Sequence, residues 1–147
     1  MYKNILIPLD GSKLAESALP HAESLAIKYG AKLHLVRVVR PPTVAGREFD
    51  TMAQFQAELD VQRNDAVEYL NGLKGQFREK NIEADFIVGF GPVVAEIIDA
   101  AESRDVDLLI IASHGRSGIR RVFFGSVASG VLNRIERPLM VIRSSEA

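Results

Sequence analysis

The chain has 147 residues, 47% of them hydrophobic, which suits one domain with a sizeable core, and we read residues 1–147 as a single domain. Eighteen Lys and Arg against nineteen Asp and Glu leave a net charge of -1, so the overall balance recruits neither nucleic acid nor a membrane surface. The absence of cysteine removes disulfides, thiolate catalysis and thiolate metal sites together and fits a reducing compartment, for which the cytoplasm is the simple expectation.

The first apolar run, "NILIPLD", is too short for a signal-peptide core or a membrane span and reads as a strand. "SKLAESALPHAESLAIKYG" follows with Leu14, Ala18, Ala22, Leu25, Ala26 and Tyr29 at helical spacing and Gly30 as its stop. Pro20 inside this helix removes a donor and crowds the carbonyl of Glu16, which predicts a bend. "AKLHLVRVV" is a second strand, ended by the loop "RPPTVAG". From about Glu48 to Lys80, the spacing of Met52, Phe55, Leu59, Ala66, Leu70, Leu73 and Phe77 predicts a long amphipathic helix whose last turns Gly72 and Gly75 weaken.

"IEADFIVG" is a third strand, and "PVVAEIIDAAESR" is a helix with Pro92 in its first turn and Val94, Ile97, Ile98 and Ala101 facing inward. "DLLIIAS" is the fourth and most apolar strand. "SVASGVLNRIE" forms a short helix, and "RPLMVIR" is a fifth strand begun by Pro138. Strands alternating with helices give right-handed crossovers, hence an α/β fold: a single open parallel five-stranded sheet with helices on both faces. Central strands of such sheets read as unbroken apolar runs, so strands one and four form the central pair and the order is 3-2-1-4-5. Its switch point lies between them, where open α/β sheets bind ligands beyond the carboxyl ends of their strands. "LDGS" and "SHGRSG" meet there.

The chemistry of that place follows from the stretch "ASHGRSGIRRVFFGSVASGV", Ala112 to Val131. Gly115 and Gly118 let the backbone approach a ligand, Gly125-Ser126 opens a helix whose free N–H groups favour an anion, and Ser126 adds a hydroxyl. His114, Arg116, Arg120 and Arg121 supply positive charge that the whole chain lacks. A P-loop is excluded because no lysine precedes Ser126, and "GFGPVV" is an incomplete dinucleotide fingerprint because Val94 replaces its third glycine; Gly91-Pro92 is a turn and helix start.

Ala112-x-x-Gly115, nine residues, then Gly125-Ser126 resembles the signature G-x-x-G-x9-G-(S/T) of the universal stress protein family. "ILIPLDGS", "LVRVV", "VGFGP...EII" and "RPLMVIR" look like further family landmarks, so the similarity spans essentially the whole chain. The resemblance implies the Rossmann-like fold of that family and, in its ATP-binding members, a site for ATP with Mg²⁺. Carried over by position, the phosphates and ribose fall to Gly115, Arg116, Gly125, Ser126 and Val127, with Ala112 and Gly118 in the same signature loop. Pro8 and Asp10 fall beside the nucleoside, and Val38 meets adenine. Asp10 has a second reading as a helix N-terminal residue within "DGS". Ala112 departs from the family's first glycine; ATP fits if that site is ordinary strand with room beside the ligand, and is blocked if the backbone must approach closely.

No nucleophile with a base and an orienting group is present: Ser113 and His114 are neighbours on an extended chain and point apart, and there is no G-x-S-x-G elbow. His21 and His34 have no metal-ligand spacing, so both are expected to be structural or surface residues. The expected event is therefore binding, with at most slow ATP hydrolysis and no designed catalysis. ATP would order the loop from His114 to Phe124 and change a surface read by a partner protein, making the chain a nucleotide-dependent stress-response module. The alternative is a dimeric stress-associated interaction protein that binds no nucleotide. In either case "LMVIR" is an apolar edge that needs covering, and the family resemblance implies a homodimer through that strand. Phe123 and Phe124 pack beneath the loop, in the core or against a second subunit, and the segment from Thr43 to Leu59 covers the adenine side of the crevice.

Overall fold

Burial of apolar runs on both faces organises the structure, a computed structural model that describes residues 1–40, 51–114 and 125–144. β1 (Asn4–Pro8) is the axis: Ile5, Leu6 and Ile7 are wholly buried, as a strand covered on both sides requires. β2 (Lys32–Val39), β3 (Ala84–Phe90), β4 (Leu108–His114) and β5 (Leu139–Ser144) complete a parallel sheet in the order β3-β2-β1-β4-β5, the order expected.

Successive strand residues alternate between two apolar layers. Ile5, Ile7, Leu33, Leu35, Leu108 and Ile110 pack with one set of helices, and Leu6, Val36, Leu109 and Ile111 with the other. The first set is α1 (Lys13–Glu16), α2 (Leu19–Tyr29) and α3 (Met52–Glu79), and the second is α4 (Val93–Ser103) and α5 (Ser126–Arg134).

At Pro20, where a bend is expected, the helical hydrogen-bond ladder is interrupted while Ser17 and Ala18 stay in the right-handed helical region. Ser12 caps α1 by accepting the Ala15 N–H at 3.1 Å, the chain turns at Ser17 and Ala18, and α2 restarts with Pro20 in its first turn, where a missing donor costs nothing. α2 buries Ala22 and Ala26 and stops at Gly30, while Tyr29, expected inward, is exposed and set edge-on against Tyr2.

α3 starts where Thr51 accepts the Gln54 N–H at 3.1 Å, and it passes through Gly72 and Gly75 unbroken. Its expected inward stripe is buried only from Ala66 onward; Phe55 and Leu59 are half-buried and Met52 is exposed. The residues from Glu48 to Asp50, expected to open this helix, lie outside the described residues. On α4, Ala100 joins Ile97 and Ala101 in the core, while Val94 and Ile98 are half-buried. β5 begins one residue after Pro138, whose carbonyl accepts the Leu109 N–H at 3.0 Å. Among the described residues the outer side of β5 has no strand partner, and none of the helices is long and apolar enough to cross a membrane.

Candidate functional site

Registered pairing between β1 and β4 ends at Leu6↔Leu109, whereas β1 stays paired with β2 to Pro8↔Val36 and β4 with β5 to His114↔Ser144. The two central strands therefore part toward their carboxyl ends, and the crevice between them is the switch point of the sheet. It opens a cleft of about 400 Å³. Pro8 and Asp10 form one wall, Leu14 and Ala15 of α1 stand beside them, and Val36, Val38 and Arg40 continue the cleft along β2. Val93 and Ile97 of α4, Ala112 and Ser113 of β4, and the start of α5 from Gly125 to Ala128 close it.

The turn after β1 is held from several directions. Asp10 accepts the Ser12 N–H on Oδ1 at 2.9 Å, so its carboxylate shapes the turn while also lining the cleft; the helix cap itself is Ser12. Gly11 lies between them at φ +88°, directly over the guanidinium of Arg37. Arg37 in turn sits over the ring of Tyr69 at 5.1 Å, and the Tyr69 hydroxyl donates to Glu16 of α1. Burial, reinforced by this hydrogen bond to a carboxylate, pushes the Tyr69 phenol well above its usual range, so it remains a donor. β2, α1 and α3 thus brace the turn that carries Asp10.

The opposite end of the cleft is a helix N-terminus. Gly125 is extended (φ -57°, ψ 162°), its N–H donates to Ser113 Oγ at 3.0 Å, and its carbonyl accepts the Ser129 N–H at 2.9 Å. Gly125 has no side chain with which to cap α5, and among the described residues no side chain caps it, so the N–H groups of its first turn offer there the partial positive charge and donor capacity that suit an anion. The cleft accordingly has a polar end at Gly125-Ser126 and an apolar trough at Val36, Val38, Val93 and Ile97.

Of the residues singled out in the sequence, Pro8, Asp10, Val38, Ala112, Gly125, Ser126 and Val127 come together here. Gly115, Arg116, Gly118, Arg120, Arg121, Phe123 and Phe124 lie outside the described residues, as do the His114 side chain and the part of the Thr43–Leu59 segment before Thr51. Ala112 is ordinary strand, paired with Ile142, and packs against the apolar layer of Ile110. Arg40 and Ser113 were missed as site residues. The alternation Val36, Val38, Arg40 would have placed Arg40 on the face of Val38.

His21 is exposed; His34 is buried, with Nε2 2.9 Å from Asn4 Oδ1, which fixes Nε2 as the protonated nitrogen. Among the described residues no group of three or more His, Asp or Glu is placed to hold a metal ion.

The universal stress protein family model matches residues 1–143. The chain belongs to the universal stress protein family. Among curated relatives it is similar to universal stress protein MJ0577 of Methanocaldococcus jannaschii, 25% identical with 97% of this chain and 96% of the relative covered. A solved structure of MJ0577 superposes with a TM-score of 0.82 at 26% identity, covering 100% of this chain and 99% of that one. Two solved universal stress proteins share the fold at lower identity. One is a complex with cAMP (TM-score 0.66, 19% identical, 98% of each chain covered), and one, from Archaeoglobus fulgidus, is a complex with dAMP (0.66, 22% identical, 97% and 98% covered).

Proposed function

We propose that this universal stress protein binds ATP with Mg²⁺ in the β1/β4 crevice and acts as a nucleotide-dependent regulatory module of the stress response. The observation that carries the reading is the cleft's two-ended chemistry: the N-terminus of α5 at Gly125-Ser126, which no side chain caps among the described residues, and an apolar trough at Val36 and Val38, with Asp10 beside them. The first end suits phosphate, the second a base, and the carboxylate a ribose hydroxyl. Adenine nucleotides in two related structures support this choice of ligand.

Asp10 is the one carboxylate among the described cleft residues, so a Mg²⁺ ion bound with ATP would be held chiefly by the phosphate oxygens. The signature loop, Gly115, Arg116 and Gly118 with it, would wrap the phosphates and alter a surface read by a partner protein. Binding is the functional event, with slow hydrolysis at most. In this reading residues 1–147 form one cytoplasmic domain, paired into a homodimer along the half-buried apolar edge of β5. The same edge favours a second reading, a dimeric interaction protein that needs no nucleotide.

Changing Gly125→Val together with Ser126→Ala separates the two. Gly125 has an extended backbone that valine adopts, and a Cβ there meets none of the described residues within 4 Å, so the fold is expected to survive, with the melting temperature as the control. Lost ATP binding at an unchanged melting temperature supports the cradle; unchanged affinity refutes this site.

A further inference from the structure

Val36, Val38 and Arg40 follow one another at every second residue of β2 and its end, share one face of the sheet, and all line the cleft. Val36 is level with Pro8, and the Leu9 N–H donates to the Val36 carbonyl at 2.8 Å, so Arg40 stands four residues further toward the open mouth. The N-terminus of α5 is on the other side of the crevice. It follows β4, and β1 separates β4 from β2, which amounts to two strand spacings, about 10 Å.

A nucleotide with its phosphates at Gly125-Ser126 therefore directs its base toward Val36 and Val38. A base placed there would have the valine side chains and the wall of Val93 and Ile97 on one face and the side of the cleft lined by Arg40 on the other. Arg40 is exposed at that mouth. A guanidinium is planar and weakly hydrated, and it stacks on π faces, which an ammonium of equal charge does not do as well.

We propose that Arg40 is a specificity-determining residue that stacks on the outer face of the bound base, and so recognises the nucleoside rather than the phosphates. This rests on the nucleotide reading above. The role differs from that of the signature loop: it draws affinity from ring contact, two strands away from the anion-binding end.

The test titrates adenosine, AMP and Mg²⁺-ATP into the wild-type chain, Arg40→Ala and Arg40→Lys, with the melting temperature of each variant as the folding control. Stacking predicts that Arg40→Ala weakens all three ligands by the same factor, about five- to tenfold, and that Arg40→Lys recovers little of the loss. A loss that grows from adenosine to ATP and is rescued by lysine makes Arg40 a phosphate contact and overturns the inference. Equal binding by wild type and Arg40→Ala overturns it too, while leaving the nucleotide reading intact. Should the wild type bind none of the three, the nucleotide reading fails and takes the inference with it.

Discussion

Gly11→Ala perturbs the brace beneath Asp10 at its tightest point. Gly11 stands at φ +88°, where an L residue costs about 1–2 kcal/mol. The new Cβ would lie 3.2 Å from Arg37 Nη1 and 3.4 Å from Cζ, so the guanidinium must give way. Because Arg37 lies over Tyr69 at 5.1 Å, the shift of a few tenths of an ångström that the new Cβ demands weakens a cation–π contact worth at most about 0.5–1 kcal/mol. Together these give about 2 kcal/mol, which for a chain of this size lowers Tm by roughly 4–8 °C. Gly30→Ala is the control, since Gly30 is also left-handed (φ +66°) but a Cβ there meets none of the described residues within 4 Å, leaving only the backbone cost of about 1–2 kcal/mol. Thermal and urea denaturation of Gly11→Ala, Gly30→Ala and both combined with Arg37→Ala measure the difference. The gap between the two alanine variants should close once Arg37 is removed, and ATP affinity should fall only for Gly11→Ala. Equal costs at both glycines, with or without Arg37, would refute the brace.

His34 gives the fold a pH dependence of determined sign. Burial lowers the imidazole pKa first, Lys32 and Arg104 lower it further, and Asp85 and Glu83 act the other way with less effect. The unfolded chain then takes up its proton first, so the contribution of neutral His34 is complete above about pH 6.5 and declines as pH falls through the folded pKa below it. Stability measured between pH 7 and 5 should fall more steeply for wild type than for His34→Gln, which keeps an amide donor; identical slopes would contradict this. Ala112→Gly should cost about 0.5–1 kcal/mol, as glycine in a strand does, and leave ATP affinity within about threefold, because Ala112 already has strand geometry. A tenfold gain in affinity on calorimetric titration would mean that the methyl obstructs the ligand.

The strand order was legible because β1 and β4 are unbroken apolar runs, and a run buried on both faces has few places in a parallel sheet. That order located the crevice, and Gly125 and Ser126 supplied its polar end. Periodicity identified the inward face of α3 but not how far the sheet extends beneath it, which is why Met52 and Leu59 were overestimated. Pro20 gave the place of a discontinuity without distinguishing a bend from a restart. The brace was illegible for a different reason. Arg37 and Tyr69 are distant in the chain, as are Tyr69 and Glu16, and no local pattern marks a contact that only the packing of α3 on the sheet creates. Arg40 ends a run of alternating residues, but Pro41 and Pro42 beside it give it the sequence signature of a loop.

Calorimetric titration of Mg²⁺-ATP into the folded protein, after a denatured sample has been checked for carried-over adenine nucleotide, tests the central claim most directly. The expected result is saturable binding at one site per chain, abolished by Gly125→Val with Ser126→Ala, or nucleotide already present in the purified protein. No binding by folded protein shown to be empty would contradict it and leave the nucleotide-independent dimer.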